Sequence, residues 1–188
     1  MTHDVIVILA ALGVAGQVLA GLLLLTALCW VVGLRPPGDW LRATLEGYEL
    51  WCVFLVASLA TAGSLFFSET AGFIPCELCW YQRICMYPLS IITLLAALAN
   101  DRRAARYLLP LPLVGAGMSI YHLLVENGVV EQAKACLLSA PGGCATKWIN
   151  EFGYMTIPTL ALTGFALCFA FLLLAALPAP SVATVSER

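Results

Sequence analysis

Charge is scarce in this sequence. Asp, Glu, Lys and Arg make up 11% of its 188 residues, against 62% from the AVILMFWYC set, and mean hydropathy is +0.94. A soluble domain needs roughly 25% charged residues to cover its surface. A water-exposed globule is therefore excluded, and lipid is the expected solvent. No Lys or Arg precedes Arg35, so the N-terminus lacks the basic n-region of a secretory signal peptide, and its apolar run is far too long for one. Alternating segments of ~10 residues are missing as well, which argues against a transmembrane β-barrel. There is no internal repeat and no low-complexity tract, and no nucleic-acid partner is expected.

Long apolar runs fill the chain instead. Val5–Leu34, Leu50–Phe67, Tyr107–Val125 and Ile157–Leu177 contain no charged residue, and Trp80–Ala99 contains only Arg83, near one end. About 20 apolar residues cross a ~30 Å hydrocarbon core as a helix. The sequence thus predicts an all-α integral membrane protein with five transmembrane helices. Residues 1–49 form an N-terminal helix and an interfacial segment, in which Pro36, Pro37 and Gly38 make a turn before an amphipathic stretch, Trp40–Glu46. Residues 50–177 hold the other four helices, and 178–188 form a polar tail expected to be disordered.

Basic residues orient the helices. With the N-terminus outside, Arg35, Arg42, Arg102, Arg103, Arg106 and Arg188 lie inside, while Arg83, Lys134 and Lys147 lie outside. The cluster Asn100–Arg106 sets the orientation by the positive-inside rule, with the C-terminus inside. The segments around 68–83 and 126–156 then share the outer side. Between them they hold four of the eight cysteines: Cys76 and Cys79, then Cys136 and Cys144. Cys29, Cys52, Cys85 and Cys168 fall in or beside apolar runs and read as small buried hydrophobes.

The sharpest local motif is Pro75-Cys76-Glu77-Leu78-Cys79-Trp80-Tyr81-Gln82-Arg83. Pro75 suits the opening of a helix, which puts Cys76 near the N-terminus, where free N–H groups favour a thiolate. Cys79, three residues on, is within disulfide reach. Three readings of the four cysteines stand side by side: exchanging redox pairs, passive structural disulfides, or a four-thiolate zinc site. The span from Cys136 to Cys144 is wide for a zinc half-site, and Leu137–Gly143 suits a mobile loop. Arg83 lies one helical turn beyond Cys79, and Tyr87 one turn beyond Arg83. A charge bordering a membrane span is costly and usually functional. The plainer alternative is a snorkelling anchor. His122 lies near the outer end of its run, suited to a carbonyl or a proton, or equally to an interfacial role.

These residues closely resemble the disulfide bond formation protein B family (DsbB), especially its BdbC-like branch. The likeness rests on Cys76-x-x-Cys79 with Trp80-Tyr81-Gln82-Arg83 and Met86-Tyr87-Pro88, on Ile120-Tyr121-His122, and on Cys136 and Cys144. It continues through Ile149-Asn150-Glu151-Phe152-Gly153 to Thr156-Ile157-Pro158. The resemblance implies a four-helix transmembrane bundle in a bacterial inner membrane, here with one additional N-terminal helix. It implies a thiol:quinone oxidoreductase that reoxidises a DsbA-like thioredoxin-fold partner and passes electrons to ubiquinone or menaquinone. Cys76 and Cys79 would be the quinone-coupled pair, and Cys136 and Cys144 the partner-facing pair. Arg83, His122 and Tyr87 would border the quinone, and no metal is called for. A vitamin K epoxide reductase-like enzyme is the nearest alternative, but its loop cysteines precede the Cys-x-x-Cys pair, and here they follow. An electron conduit of the DsbD type, using Cys52, Cys85 and Cys168, and a non-enzymatic subunit with structural disulfides are further alternatives.

Overall fold

The computed structural model describes residues 2–32 and 44–177. The turn at Pro36–Gly38, most of the amphipathic stretch Trp40–Glu46 and the tail 178–188 lie outside the described residues. Among the described residues the α-helices include, in chain order, α1 (Thr2–Val31), α2 (Glu49–Leu65), α3 (Glu77–Leu98), α4 (Ala104–Leu108), α5 (Pro110–Glu126), α6 (Lys134–Ser139) and α7 (Ile157–Ala176). Among the described residues there is no strand, only one isolated bridge between Glu151 and Met155. Five helical stretches are long and apolar enough to cross a membrane: Thr2–Cys29, Glu49–Thr70, Glu77–Leu98, Ala104–Glu126 and Ile157–Ala176. A spanning helix satisfies its own backbone groups, which lipid cannot do for any open structure.

Helices α2, α3, α5 and α7 close a ring in which each packs on the next, and α1 lies outside it against α7. The all-α fold with four bundled helices and one added helix is therefore as the sequence predicts. Helix α7 is apolar on every side, as a helix surrounded by others must be; its Phe165, Cys168 and Leu172 are fully buried. Close approach of α5 to α7 depends on Gly115, where an added Cβ would fall on the Phe165 ring. Cys85 and Cys168 belong to this core and Cys52 packs on it, in keeping with their reading as small hydrophobes.

The two ends of the ring differ. At one end Arg102 bonds Glu49 at 2.8 Å, and Glu49 also takes the Gly47 N–H. At the other end are the two cysteine segments. Helix α3 joins them: its 22 residues run about 33 Å at 1.5 Å per residue. The N-terminal end of α1 lies at the cysteine end, where Ile6 packs with Phe67 and Ile149.

Gly115→Ala should lower thermal stability in detergent by about 1–3 kcal/mol, the usual cost of overpacking a close contact. Adding Phe165→Leu should restore part of it. An unchanged melting temperature for Gly115→Ala would mean that α5 and α7 do not approach this closely.

Candidate functional site

The approach to α3 is set by a wide turn after α2. The Ala71 N–H reaches back to the Phe66 carbonyl at 2.9 Å. The chain then runs extended to Cys76, which takes the N-cap with φ −74° and ψ 173°. Pro75 therefore stands one residue outside the helix, where the sequence suggested that it opens it. Cys76 makes no side-chain capping bond. The first N–H of the helix, that of Glu77, goes instead to the hydroxyl of Ser139 at 3.1 Å, and the Ser139 hydroxyl donates to the Cys136 carbonyl at 2.8 Å. The cysteine loop is thus pinned to the start of α3. Leu137–Gly143, suggested by the sequence to be mobile, is ordered: α6 runs to Ser139 and a 3-10 turn covers Gly143–Ala145.

Four sulfurs gather here. Cys136 and Cys144 are joined in a disulfide with Cα atoms 5.3 Å apart. Cys76 packs with them in one apolar cluster, with Cys79 at its edge. The Cys76 and Cys79 sulfurs are 3.1 Å apart and unlinked. His122 Nε2 is 3.7 Å from Cys76 Sγ and 3.0 Å from the Cys144 carbonyl, and its Nδ1 is 3.3 Å from Gln82 Nε2. If the Gln82 amide donates to Nδ1, the imidazole proton sits on Nε2, shared between the Cys144 carbonyl and the Cys76 sulfur. Cys76 lies just outside the spanning part of α3. Its thiol is held well below the ordinary thiol range, first by the hydrogen bond with Cys79 and then by His122, against burial, which pushes it up. Cys76, Cys79 and His122 also present donor atoms within 4.8 Å of one another, close enough for one soft cation to bridge.

Beside the sulfurs lies a cavity of about 200 Å³, lined mainly by apolar side chains of α1, α2, α3 and α7. Cys79, Arg83 and Tyr87 share one wall, as their spacing on α3 suggested. Arg83 is buried; its Nε donates to the Ser64 hydroxyl and its terminal nitrogen to the Ser64 carbonyl, both at 2.9 Å. The guanidinium also lies 5.1 Å from the Trp80 ring centre. Tyr87 reaches the same Ser64 hydroxyl at 3.4 Å. Among the described residues the direct polar partners of Arg83 are thus neutral oxygens. A buried cation without a carboxylate partner is expensive and leaves a positive field over the cavity. Trp148 lines the cavity too, stacked on Phe73, which stacks on Phe67.

His122 does not line this cavity; it stands on the sulfur side of α3. The sequence grouped it with Arg83 and Tyr87, but it is found among the cysteines instead. Ser64, Gln82, Trp148 and Ser139 were not singled out by the sequence analysis. Gln82 alone had a local signal, since it stands inside the Cys-x-x-Cys motif's trailing Trp-Tyr-Gln-Arg run. Glu126, buried and bonded by Thr156 at 2.9 Å, had none.

These features define a multi-pass membrane protein with paired cysteines gathered at one end of a four-helix ring. The family model described as disulfide bond formation protein DsbB matches residues 48–175. The chain is 46% identical over 132 residues to disulfide bond formation protein C of Bacillus subtilis, covering 68% of this chain and 89% of that one. It is 43% identical over 133 residues to a probable disulfide formation protein of Deinococcus radiodurans, covering 66% and 86%. A probable disulfide formation protein of Oceanobacillus iheyensis is 42% identical over 127 residues, covering 66% and 86%. No solved structure matches. The chain belongs to the DsbB family of disulfide bond formation proteins.

A lowered pKa means that Cys76 stays deprotonated as pH falls through the range where an ordinary thiol, near ~8.5, is already neutral. Ultraviolet thiolate absorbance of the reduced protein should therefore persist into mildly acidic buffer. His122→Ala should move that titration upward, and Cys79→Ala should move it further, because the Cys79 bond is the larger cause. Thiolate that disappears at ordinary pH in the unaltered protein would refute the assignment.

Proposed function

We propose that this protein is a membrane thiol:quinone oxidoreductase that reoxidises a DsbA-like thioredoxin-fold dithiol protein. One observation supports the reading above others: the two cysteines of Cys-x-x-Cys have different neighbours. Cys76 packs against the Cys136–Cys144 disulfide, while Cys79 lines the cavity with Arg83 and Tyr87. A relay needs its central pair to meet both neighbours, and this pair does.

The steps balance as follows. An external dithiol reduces Cys136–Cys144, becoming a disulfide itself and leaving two thiols on the loop. A loop thiolate attacks the Cys76–Cys79 disulfide at Cys76, passing through a mixed disulfide, as thiol exchange requires. The second loop thiol resolves it, restoring Cys136–Cys144 and leaving Cys76 and Cys79 as thiols. Closing Cys76–Cys79 again releases two electrons and two protons. A quinone of the bilayer, when bound, supplies the acceptor for both.

The residues present fit such a group. The cavity is apolar, opens beside a reactive sulfur, and has a fixed cation on the same wall. Arg83 would hold and polarise a ring oxygen without first needing a proton, and Tyr87 would border the ring. His122 serves the sulfurs: its Nε2–H stabilises the Cys76 thiolate released during exchange. Cys136 and Cys144 are almost fully buried, whereas Leu137 and Leu138 beside them are exposed. The partner would dock on these leucines and displace the Ser139 contact to reach the disulfide. The working unit is residues 50–177, with 1–49 an addition and 178–188 a tail. Both cysteine segments and the N-terminus face the periplasmic side of a bacterial inner membrane, and the Arg102–Arg106 end and the C-terminus face the cytoplasm.

The test is direct. Purified protein given a reduced thioredoxin-fold protein and ubiquinone or menaquinone should consume one quinone per disulfide formed; no quinone loss would overturn the reading. Arg83→Gln should slow quinone reduction roughly 30- to 150-fold, the effect of losing ~2–3 kcal/mol of preorganised charge stabilisation. Arg83→Lys should recover part of the rate, since it lacks the planar fork. Dithiol exchange at Cys136–Cys144, followed by mass spectrometry, should stay near normal in both. Normal quinone reduction by Arg83→Gln would make Arg83 an anchor only.

A further inference from the structure

The family match begins at residue 48, so α1 is an addition to the four-helix ring. It is not loosely attached. On the α7 side of α1, Gly13 has Leu160 so near that an added Cβ would lie 2.5 Å from its Cδ2, and at Gly16 an added Cβ would lie 3.1 Å from Leu167 and Thr163. At the cysteine end Ile6 is buried with Phe67 and Ile149, and further along Ala20, Leu23 and Ala27 join the main core. The Tyr154 hydroxyl donates to Gln17 at 3.0 Å. Contacts at several heights hold α1 in one position.

That position borders the cavity. Leu9, Leu12 and Gly13 line it together with Cys79 and Arg83. Leu9 lies over Gly63 of α2, near enough for ordinary contact with a Cβ there. Leu12 of α1 and Leu59 of α2 both line the cavity and are both 49% exposed. A side chain that is half inside a cavity and half on the lipid-facing surface marks an edge. Two of them, on the apolar helices α1 and α2, mark an opening towards the bilayer, while the exposed Ile74 and Trp148 border the cavity at its cysteine end.

We propose that α1 is a wall of the quinone cavity, and that Leu12 and Leu59 frame a lipid-side mouth through which the quinone's apolar tail leaves. This rests on the quinone reading above and deepens it: Leu9 and Leu12 would border the quinone, and helices α2 to α7 do not form its whole site. A cavity of about 200 Å³ suits one ring system, so an isoprenoid tail has to pass outside. The mouth between Leu12 and Leu59 leads into the solvent such a tail prefers.

A photoreactive azidoquinone carrying an isoprenoid tail tests this on the full-length protein in liposomes. Peptide mapping should find label within residues 9–13 as well as on α3. Label confined to α2, α3 and α7 would overturn the role of α1 while leaving the quinone reading intact. An absence of specific label anywhere would overturn both. Leu12→Trp, which narrows the mouth from the α1 side, should raise KM for a long-tailed quinone roughly tenfold more than KM for a tailless one. Exchange with the dithiol partner at Cys136–Cys144, which is remote from Leu12, should stay near normal. Equal effects on the two quinones, or none on either, would overturn the placement of the mouth.

Discussion

The first turn of a helix that starts at a membrane surface has N–H groups with no acceptor inside the helix, and away from bulk water these groups must find one. At α3 the N-cap residue is a cysteine, whose sulfur is a weak acceptor and makes no capping bond. The Glu77 N–H is satisfied from elsewhere in the chain, by the Ser139 hydroxyl. This one contact ties the helix that bears Cys76 and Cys79 to the loop that bears Cys136 and Cys144. The Cys76 sulfur, beside that of Cys79, shares the Nε2 side of His122 with the Cys144 carbonyl. A conventional capping residue at 76 would have removed the nucleophile and still left the Glu77 N–H, which an N-cap side chain does not reach, to Ser139.

Neighbours then distinguish the two sulfurs. Cys76 sits among loop residues and receives a donor from His122, so negative charge rests there most easily. Cys79, one turn along, faces an apolar space whose principal fixed charge is the Arg83 guanidinium. Ser64 holds that guanidinium through both its hydroxyl and its carbonyl. Neutral oxygens orient an Arg without cancelling its charge, as a carboxylate would. The energetic cost of burying it is therefore kept as a field across the cavity, available to whatever negative charge appears there.

Much of this was legible in the sequence, because the governing rules are local. Lipid thickness fixes helix length, so the apolar runs gave the five spans to within a few residues. Helical period puts Cys79, Arg83 and Tyr87 on one face, and they share one cavity wall. What could not be read was set by contacts between distant segments. Ser139 meets Glu77 across 62 positions, and Arg83 meets Ser64 across 19. Neither serine stands in a distinctive motif. The resemblance put His122 beside the quinone with Arg83; position along α5 does not say which side of α3 a residue will meet, and His122 meets the sulfurs. The loop looked mobile because it has Pro141, Gly142 and Gly143. It is held by local bonds involving Gln132 and Thr146 and by one contact with the start of α3, which no window around it contains.

Helix α1 shows the same limit from the other side. Its length and apolarity announced a membrane span, but a uniformly apolar helix carries no pattern to say which face is inward. Hydrophobicity does not drive helices together in lipid, where tails are as apolar as leucine; close packing does, and small residues permit it. Gly13 and Gly16 supply that on α1, against Leu160, Thr163 and Leu167 of α7. Because α7 also packs against α2, a helix seated on α7 at this register lies across the lipid-facing side of the space between them. The glycines that let α1 dock are thus also what bring Leu9 and Leu12 to the cavity. An added helix held by such contacts cannot be neutral towards anything that enters from the bilayer at that height.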